Sequence, residues 1–229
     1  MTGIILICWI LALLFCPPST QKALFILGCW GITLLFSLPR YVGDKQARHA
    51  LLIKWLGTFS AAVMGIGGGI LHGGAAWLCA AGLFICALAD VVLEKKFNPG
   101  MACFATGHVC YVAWFLQRMP LGVGHVVAFA LFFSVALVTI HRWTGIFRRE
   151  ALPLTAYALF LSAMGACGAA GAGRGLSGLL IAMGAVLFVA SDMMVYRGRL
   201  KPWSRRMDFV AMGIYYVAQL LFGTACLLG

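Results

Sequence analysis

The stretch AAWLCAAGLFICALADVVL, residues 75–93, holds nineteen residues and a single acidic or basic side chain, Asp90. A helix needs about 20 mainly apolar residues to cross the hydrocarbon core of a bilayer. This stretch therefore predicts a membrane-spanning helix, and comparable apolar stretches follow one another along the chain. They occupy residues 3–16, 23–38, 50–66, 75–93, 101–117, 122–140, 152–170, 177–195 and 208–228.

The composition supports the same interpretation. Of the 229 residues, 63% are apolar and 10% are charged, and the mean hydropathy is +0.99. Soluble domains average about 45–50% apolar and about 25% charged residues. The sequence therefore excludes a water-soluble protein. It predicts an all-α, polytopic transmembrane helix bundle formed by a single domain, residues 1–229.

The N-terminal stretch differs from the other eight. Residues 3–16 are short for a membrane span, and they end at Cys16, which precedes two prolines. This pattern fits either a short span or a signal-like segment. We expect a retained helix, so that residues 1–21 form an extra N-terminal helix and residues 22–229 form a core of eight helices.

The positive charge is distributed unevenly between the connections. The 17 Lys and Arg residues exceed the six acids, giving a formal net charge of +11. Thirteen of them fall in every second connection, and only Lys22, Arg118 and Arg174 fall on the other side. Cytoplasmic loops of membrane proteins carry such an excess, so we expect the basic loops and the N-terminus to lie in the cytoplasm. We expect the protein itself to lie in the bacterial inner membrane. The positive charge then reflects the orientation of the protein and its contact with anionic membrane lipid, and we expect no nucleic-acid partner.

A glycine-rich run, GIGGG at residues 65–69, follows the third apolar stretch. A phosphate-binding loop of the P-loop type would need a Lys and a Ser or Thr directly after its glycines, and these are missing here. Because the third apolar stretch ends at residue 66, we expect the run in an external loop, and the missing motif argues against a phosphate site there.

Several polar residues lie inside the apolar stretches. An ionisable group within a span costs at least about 2.5–3.5 kcal/mol on insertion scales, so each one calls for a reason. Asp90, Asp192, His108, Lys54 and Gln219 come from five different stretches. The expected orientation and the helical rise of 1.5 Å per residue place them at a similar depth near the cytoplasmic boundary. We predict the functional site at this depth, toward the cytoplasmic leaflet.

Each of these residues also has a purely structural interpretation. Asp90 and Asp192 can pair with Lys54 or cap neighbouring groups near the interface. Lys54 can extend toward the lipid headgroups, and His108 can be a neutral ring bonded to a backbone carbonyl. Tyr215 lies four residues before Gln219, so the two can form a hydrogen-bonding row on one helix face.

The histidines give no indication of a metal site. They occupy positions 49, 72, 108, 125 and 141, with no pair four residues apart. A three-ligand cluster would need His108 together with both Asp90 and Asp192, which the spacing does not suggest. We predict no metal and no cofactor.

Five pieces of sequence occur together in a recognisable order. They are Lys54, Asp90 near the end of its stretch, FATGHVCY at 104–111, FVASD at 188–192 and YYVAQ at 215–219. In this combination the chain, over residues 22–228, resembles the YhhN family of membrane lysoplasmalogenases. It departs from the family pattern in two places, with Ala89 where the family usually has Gly and Trp55 where it usually has Pro. These departures affect the helix backbone more than the acidic groups.

The resemblance implies hydrolysis of the vinyl-ether bond of lysoplasmalogens, which are single-chain ether lysophospholipids. The products would be a fatty aldehyde and glycerophospho-ethanolamine or glycerophospho-choline. Vinyl-ether cleavage needs an acid that protonates carbon and a base that activates water, and two carboxylates can divide these roles. We expect Asp90 and Asp192 to be catalytic. The residues expected to bind and orient substrate and water are His108, Tyr111, Tyr215, Gln219 and Lys54, the last of them at the phosphate.

Two other functions remain compatible with the same residues. In a small-solute or proton-coupled transporter, the acids and His108 would form a proton or ion relay. A relay needs polar groups that reach both faces, whereas the outer half offers little beyond Arg118, His125 and Arg174. A structural or lipid-binding role is the third possibility. The asymmetry favours an enzyme.

Overall fold

The computed structural model describes residues 18–144, 151–200 and 204–229, and the predicted extra helix at residues 3–16 lies outside them. Within the described residues, eight helices are long and apolar enough to cross a membrane. This confirms the predicted all-α, polytopic bundle. The helices are α1 (Pro18–Gly43), α2 (Ala50–His72), α3 (Ala76–Lys95), α4 (Phe97–Arg118), α5 (Val123–Thr144), α6 (Ala151–Ala169), α7 (Gly175–Leu200) and α8 (Arg205–Leu228).

The first helix widens in its middle. An α-helical part, Pro18–Gly31, continues as a π-helical segment, Ile32–Ser37, and ends as α-helix at Leu38–Gly43. Pro39 lacks a backbone N–H, so it cannot donate the regular bond to the preceding turn. Its ring would also clash with the carbonyl group four residues earlier in a regular α-helix, and the wider turn lies just before this proline. The hydroxyl of Thr33, inside the segment, donates to the carbonyl oxygen of Gly57 on α2 at 3.0 Å.

The glycine run was expected in an external loop, and the structure shows that this prediction was wrong. Helix α2 continues to His72, so residues 65–69 are helical. A hydropathy average gives glycine a low value and so underestimates its tendency to lie in a membrane helix. Close contact between membrane helices favours small residues such as glycine. A methyl group at Gly65 would come within 2.7 Å of Leu83 on α3, and one at Gly69 would come within 2.7 Å of Trp77.

Helix α8 occupies the centre of the bundle. It packs against α1, α2, α3 and α7, and 78% of its most apolar window is buried. Helix α5 is the opposite extreme, with 11% of the corresponding window buried. It packs mainly on α6 and, in the described part of the chain, not against its sequence neighbour α4. Instead α4 packs between α3 and α6.

Candidate active site

A cavity of about 240 Å³ opens at the end of the bundle that carries the basic connections, and all eight helices contribute to its wall. Asp90 from α3 and Asp192 from α7 both line this cavity, together with Lys54 and Tyr215. Much of the remaining wall is apolar. It includes Leu93, Phe97, Met101, Phe104, Ile140, Leu154, Ala158, Met193, Val195 and Met212.

Asp90 is buried and receives several donors. The hydroxyl of Tyr215 donates to Oδ2 at 2.9 Å, and the hydroxyl of Thr58 on α2 donates to the same oxygen. The ammonium nitrogen of Lys54 lies 3.6 Å from the other oxygen, Oδ1. An ionised carboxylate is a pure acceptor, so a set made up entirely of donors matches the charged form of Asp90.

A chain of hydrogen bonds leads to Asp90 from the interior of the bundle. The hydroxyl of Tyr111 donates to Oε1 of Gln219 at 2.7 Å, and Nε2 of Gln219 donates to the hydroxyl of Tyr215 at 3.1 Å. Tyr215 then donates to Asp90. The predicted row of Tyr215 and Gln219 on one face of α8 is therefore confirmed. Because every donor in the chain points toward Asp90, the bonds polarise one another in the same direction.

The side chain of Lys54 is enclosed within the bundle. It is 6% exposed, and Nζ donates to Oε1 of Glu94 at 2.7 Å. The hydroxyl of Tyr41 donates to the same Glu94 oxygen. The lysine is thus held between two carboxylates of α3, Asp90 and Glu94, which lie one helical turn apart. The interpretation of Lys54 as a residue paired with carboxylates agrees with this geometry.

Asp192 has different surroundings. The hydroxyl of Tyr157 on α6 donates to Oδ2 of Asp192. In the described part of the chain no Lys, Arg or His nitrogen lies within 4 Å of this carboxyl. The next residue, Met193, and the facing Ala158 add apolar surface to the cavity wall. One carboxyl of the cavity therefore has a cation beside it, and the other has a single neutral donor.

His108 lies behind the cavity wall. Its ring is fully buried, 4.9 Å from the ring of Phe188 and 5.5 Å from the ring of Tyr157, measured between centroids. Neither ring nitrogen has a hydrogen-bond partner among the described residues. Tyr111 and Gln219 also do not line the cavity. They form the inner part of the chain of hydrogen bonds that ends on Asp90.

The sequence reasoning missed three polar groups of the site. Glu94 was placed outside the span because the apolar stretch ends at 93, although its position four residues after Asp90 puts both on one face of α3. Thr58 stands four residues after Lys54 in the same way. Tyr157 lies two turns into α6 from the basic end, at the depth of Asp192, and that depth was the available signal.

The histidine, cysteine and acidic side chains of the described residues form no group of three that could hold a metal ion. The polar groups around the cavity are carboxylates, tyrosine hydroxyls and one ammonium group. They can hold and move protons at defined atoms, which is the chemistry of general acid and base catalysis.

These features define an integral, multi-pass membrane protein whose cavity is lined by several carboxylates, among them Asp90 and Asp192. Residues 49–226 match the YhhN family, and the chain belongs to this family. It is 33% identical over 212 residues to the human lysoplasmalogenase TMEM86B, an alignment that covers 89% of this chain and 84% of the relative. No solved structure matches the chain. By its family and this relative, the chain is a membrane enzyme of the hydrolase class.

Proposed function

We propose that the protein is a lysoplasmalogenase that hydrolyses the vinyl-ether bond of lysoplasmenyl-ethanolamine and lysoplasmenyl-choline. The products are a fatty aldehyde and the corresponding glycerophospho-alcohol. The observation that carries the proposal is the presence of Asp90 and Asp192 in the wall of one cavity, each on a different helix. The similarity to a human lysoplasmalogenase over most of both chains supports the same reaction.

The shape of the cavity suits a lysolipid. At about 240 Å³ it is smaller than the roughly 300–1,000 Å³ of pockets that enclose a drug-sized ligand. It therefore encloses the reactive end of the lipid rather than the whole molecule. Its apolar wall, which includes Met101 and Phe104, favours the first part of the hydrocarbon chain. The rest of the chain extends among the apolar helices or into the bilayer.

In this proposal Asp90 is the ionised partner. Lys54 supplies a positive charge 3.6 Å from one oxygen, and Thr58 and Tyr215 donate to the other. A carboxylate held in this way stabilises a nearby cation and accepts a proton from water. Asp192 is the acid, because it has no cation beside it and apolar surroundings favour its neutral form.

The reaction then proceeds with a balanced transfer of protons. Asp192 gives its proton to the β-carbon of the vinyl ether, and the double bond supplies the electrons for the new C–H bond. The α-carbon becomes an oxocarbenium ion that faces the charge of Asp90. Water adds to this carbon and loses a proton to Asp90. The hemiacetal passes its hydroxyl proton to the glyceryl oxygen as the C–O bond breaks, and the proton on Asp90 restores that of Asp192.

The test measures aldehyde release from both lysoplasmalogens by the purified protein in detergent. Asp90→Asn and Asp192→Asn should each lower kcat by at least about 100-fold, the usual size of an acid or base contribution. The matched control is Asp44→Asn, which changes an exposed aspartate in the α1–α2 connection and should keep wild-type turnover. Near-normal activity in either site variant removes that aspartate from the mechanism.

A second control uses the lipid rather than the protein. The saturated alkyl-ether lysolipid has the same headgroup and chain but no double bond to protonate, so it should bind and release no alcohol. Cleavage of this analogue contradicts the carbon-protonation mechanism. A loss of lysoplasmalogen cleavage on adding chelator contradicts a mechanism that uses the two carboxylates alone.

A further inference from the structure

An ion pair lies at the mouth of the cavity. Lys45 belongs to the connection between α1 and α2, and Asp208 lies in the first turn of α8. Their Nζ and Oδ2 atoms are 2.8 Å apart, with the side chains 43% and 30% exposed. Both residues line the same cavity as Asp90 and Asp192. The pair therefore stands where the cavity meets the aqueous boundary.

Two side chains, those of Tyr41 and Lys54, lie between this ion pair and Asp90. The ammonium nitrogen of Lys45 lies 5.7 Å from the centroid of the Tyr41 ring, and the ammonium nitrogen of Lys54 lies 5.3 Å from the same centroid. Lys54 in turn lies 3.6 Å from Asp90. In a lysolipid, the phosphate and the amine lie beyond the glycerol from the vinyl ether. A lipid with its reactive bond near Asp90 can thus extend its headgroup past Tyr41 to the mouth.

The two lysines of the cavity differ in their capacity to take a phosphate. Lys54 is buried and already contacts two carboxylates, Glu94 and Asp90, so a phosphate would have to displace an internal partner. Lys45 is partly exposed and has one carboxylate partner, Asp208. Exposed ion pairs contribute little to stability, so the mouth pair opens at little cost. We therefore place the phosphate on Lys45 rather than on Lys54.

We propose that the Lys45–Asp208 pair recognises a zwitterionic headgroup, an inference that rests on the proposed hydrolase function. Lys45 binds the phosphate, and Asp208 binds the positively charged amine of ethanolamine or choline. When such a headgroup enters, the phosphate replaces Asp208 as the negative partner of Lys45, and the amine replaces Lys45 as a positive partner of Asp208. A headgroup that carries only the phosphate brings a second negative charge close to Asp208 and offers it no amine. Selectivity then comes from the rejected lipid as well as from the accepted one.

The first measurement compares the affinities of saturated-ether lysolipids with ethanolamine and glycerol headgroups, which bind without being cleaved. Wild-type protein should bind the ethanolamine lipid more tightly than the anionic glycerol lipid. Each exposed charge contact contributes about 0.2–1 kcal/mol, so Lys45→Gln should weaken binding of both lipids by about 1.4- to fivefold. Asp208→Asn should weaken the ethanolamine lipid alone by the same factor, and Asp208→Lys should reverse the preference.

The controls separate this proposal from general charge effects and from the reaction itself. Lys96→Gln removes a positive charge at the same end of the bundle but outside the cavity lining, and it should leave the affinity for each lipid unchanged. The unfolding midpoint of each variant identifies misfolded protein, and Asp208→Asn provides the milder change if Asp208→Lys fails to fold. An affinity ratio that stays constant in the Asp208 variants overturns the proposal, and so does a Lys45→Gln variant that binds both lipids as tightly as the wild-type protein.

The same variants are then assayed with cleavable lysoplasmalogens. The change should be larger in KM than in kcat, with the ratio of KM values for the two headgroups following the affinity ratio. If the wild-type protein prefers the saturated ethanolamine lipid to the saturated glycerol lipid but releases no aldehyde from lysoplasmalogens, the hydrolase function fails and the headgroup site stands. If aldehyde is released and the headgroup ratio ignores Asp208, the headgroup site fails and the hydrolase function stands.

Discussion

Two residues of the same type, Asp90 and Asp192, acquire different properties from the side chains that face them. Asp90 has Lys54 on one oxygen and two hydroxyl donors on the other. Asp192 receives the hydroxyl of Tyr157. The sequence predicts both aspartates because a carboxyl inside an apolar stretch is conspicuous. It does not predict their partners, because Thr58 and Tyr157 are polar residues that occur in many spans for local reasons.

Tyr157 tests the importance of the donor to Asp192. Tyr157→Phe removes one hydroxyl and leaves the ring that packs beside His108. Asp192 becomes negatively charged as it gives its proton to the β-carbon, and a hydrogen bond to a charged group contributes about 1.5–3 kcal/mol, so kcat for aldehyde release should fall by at least about tenfold. The matched control is Tyr216→Phe, whose hydroxyl donates to the backbone oxygen of Lys54 at 3.0 Å and does not line the cavity. An equal fall in kcat for both variants argues against a special role for Tyr157.

Lys54 tests the buried charges of α3. Lys54→Met keeps the length of the side chain and removes the cation that faces Asp90 and Glu94. Removing one partner of a buried ion pair costs about 3–5 kcal/mol of unfolding free energy, so denaturation in detergent should show a clear loss of stability. Adding Asp90→Asn, which removes the buried charge left without Lys54, should restore part of the loss. Exposed Lys95→Met serves as the control, and equal stability of Lys54→Met and wild-type protein contradicts the expected coupling.

At the scale of the helices, hydropathy predicts the number of spans better than their ends. Eight apolar stretches correspond to the eight described helices, and most of the helices extend a few residues further than predicted. The extension of α3 brings Glu94 into the site, and that of α2 brings the glycines of residues 65–69 into the bundle. Helix ends depend on packing and on charged side chains near the boundary, and a hydropathy average does not contain this information.

Two glycines distinguish packing from helix propensity. Gly65→Ala on α2 places a methyl group 2.7 Å from Leu83 and 3.0 Å from the Cα of Ala80, so the unfolding midpoint should fall. Gly31→Ala on α1 meets no atom within 4 Å, so the better helix former should stabilise the protein by about 0.5–1 kcal/mol. Both variants are compared in the same detergent. A stabilising Gly65→Ala contradicts the close packing of α2 against α3.

At the scale of the whole molecule, charge and polarity are concentrated at one end. The five acids among the described residues, Asp44, Asp90, Glu94, Asp192 and Asp208, all lie in the half that carries the basic connections. The sequence predicts this polarity from thirteen cations against three. It does not predict which helices meet, because membrane helices of similar hydropathy pack through small residues and shape. The separation of α5 from α4 is one such outcome.

The orientation in the membrane is tested by labelling from outside the cell. Gln46→Cys lies in the α1–α2 connection at the basic end, and Gly173→Cys lies in the exposed α6–α7 connection at the other end. Because basic loops stay in the cytoplasm, a membrane-impermeant maleimide should label intact cells through position 173. Position 46 should label only after permeabilisation. The wild-type protein gives the background from native cysteines, and the reverse pattern places the candidate site at the outer leaflet.

The central position of α8 has a consequence for how the protein is made. Seven described helices leave the ribosome before α8, yet four of them pack around it. Until Arg205–Leu228 enters the membrane, the space among them must be filled by lipid or closed by a different packing. Tyr215 and Asp208 arrive with this last helix, so neither the donor to Asp90 nor the ion pair at the mouth exists earlier. A chain halted before α8 would be inserted in the bilayer but incapable of turnover.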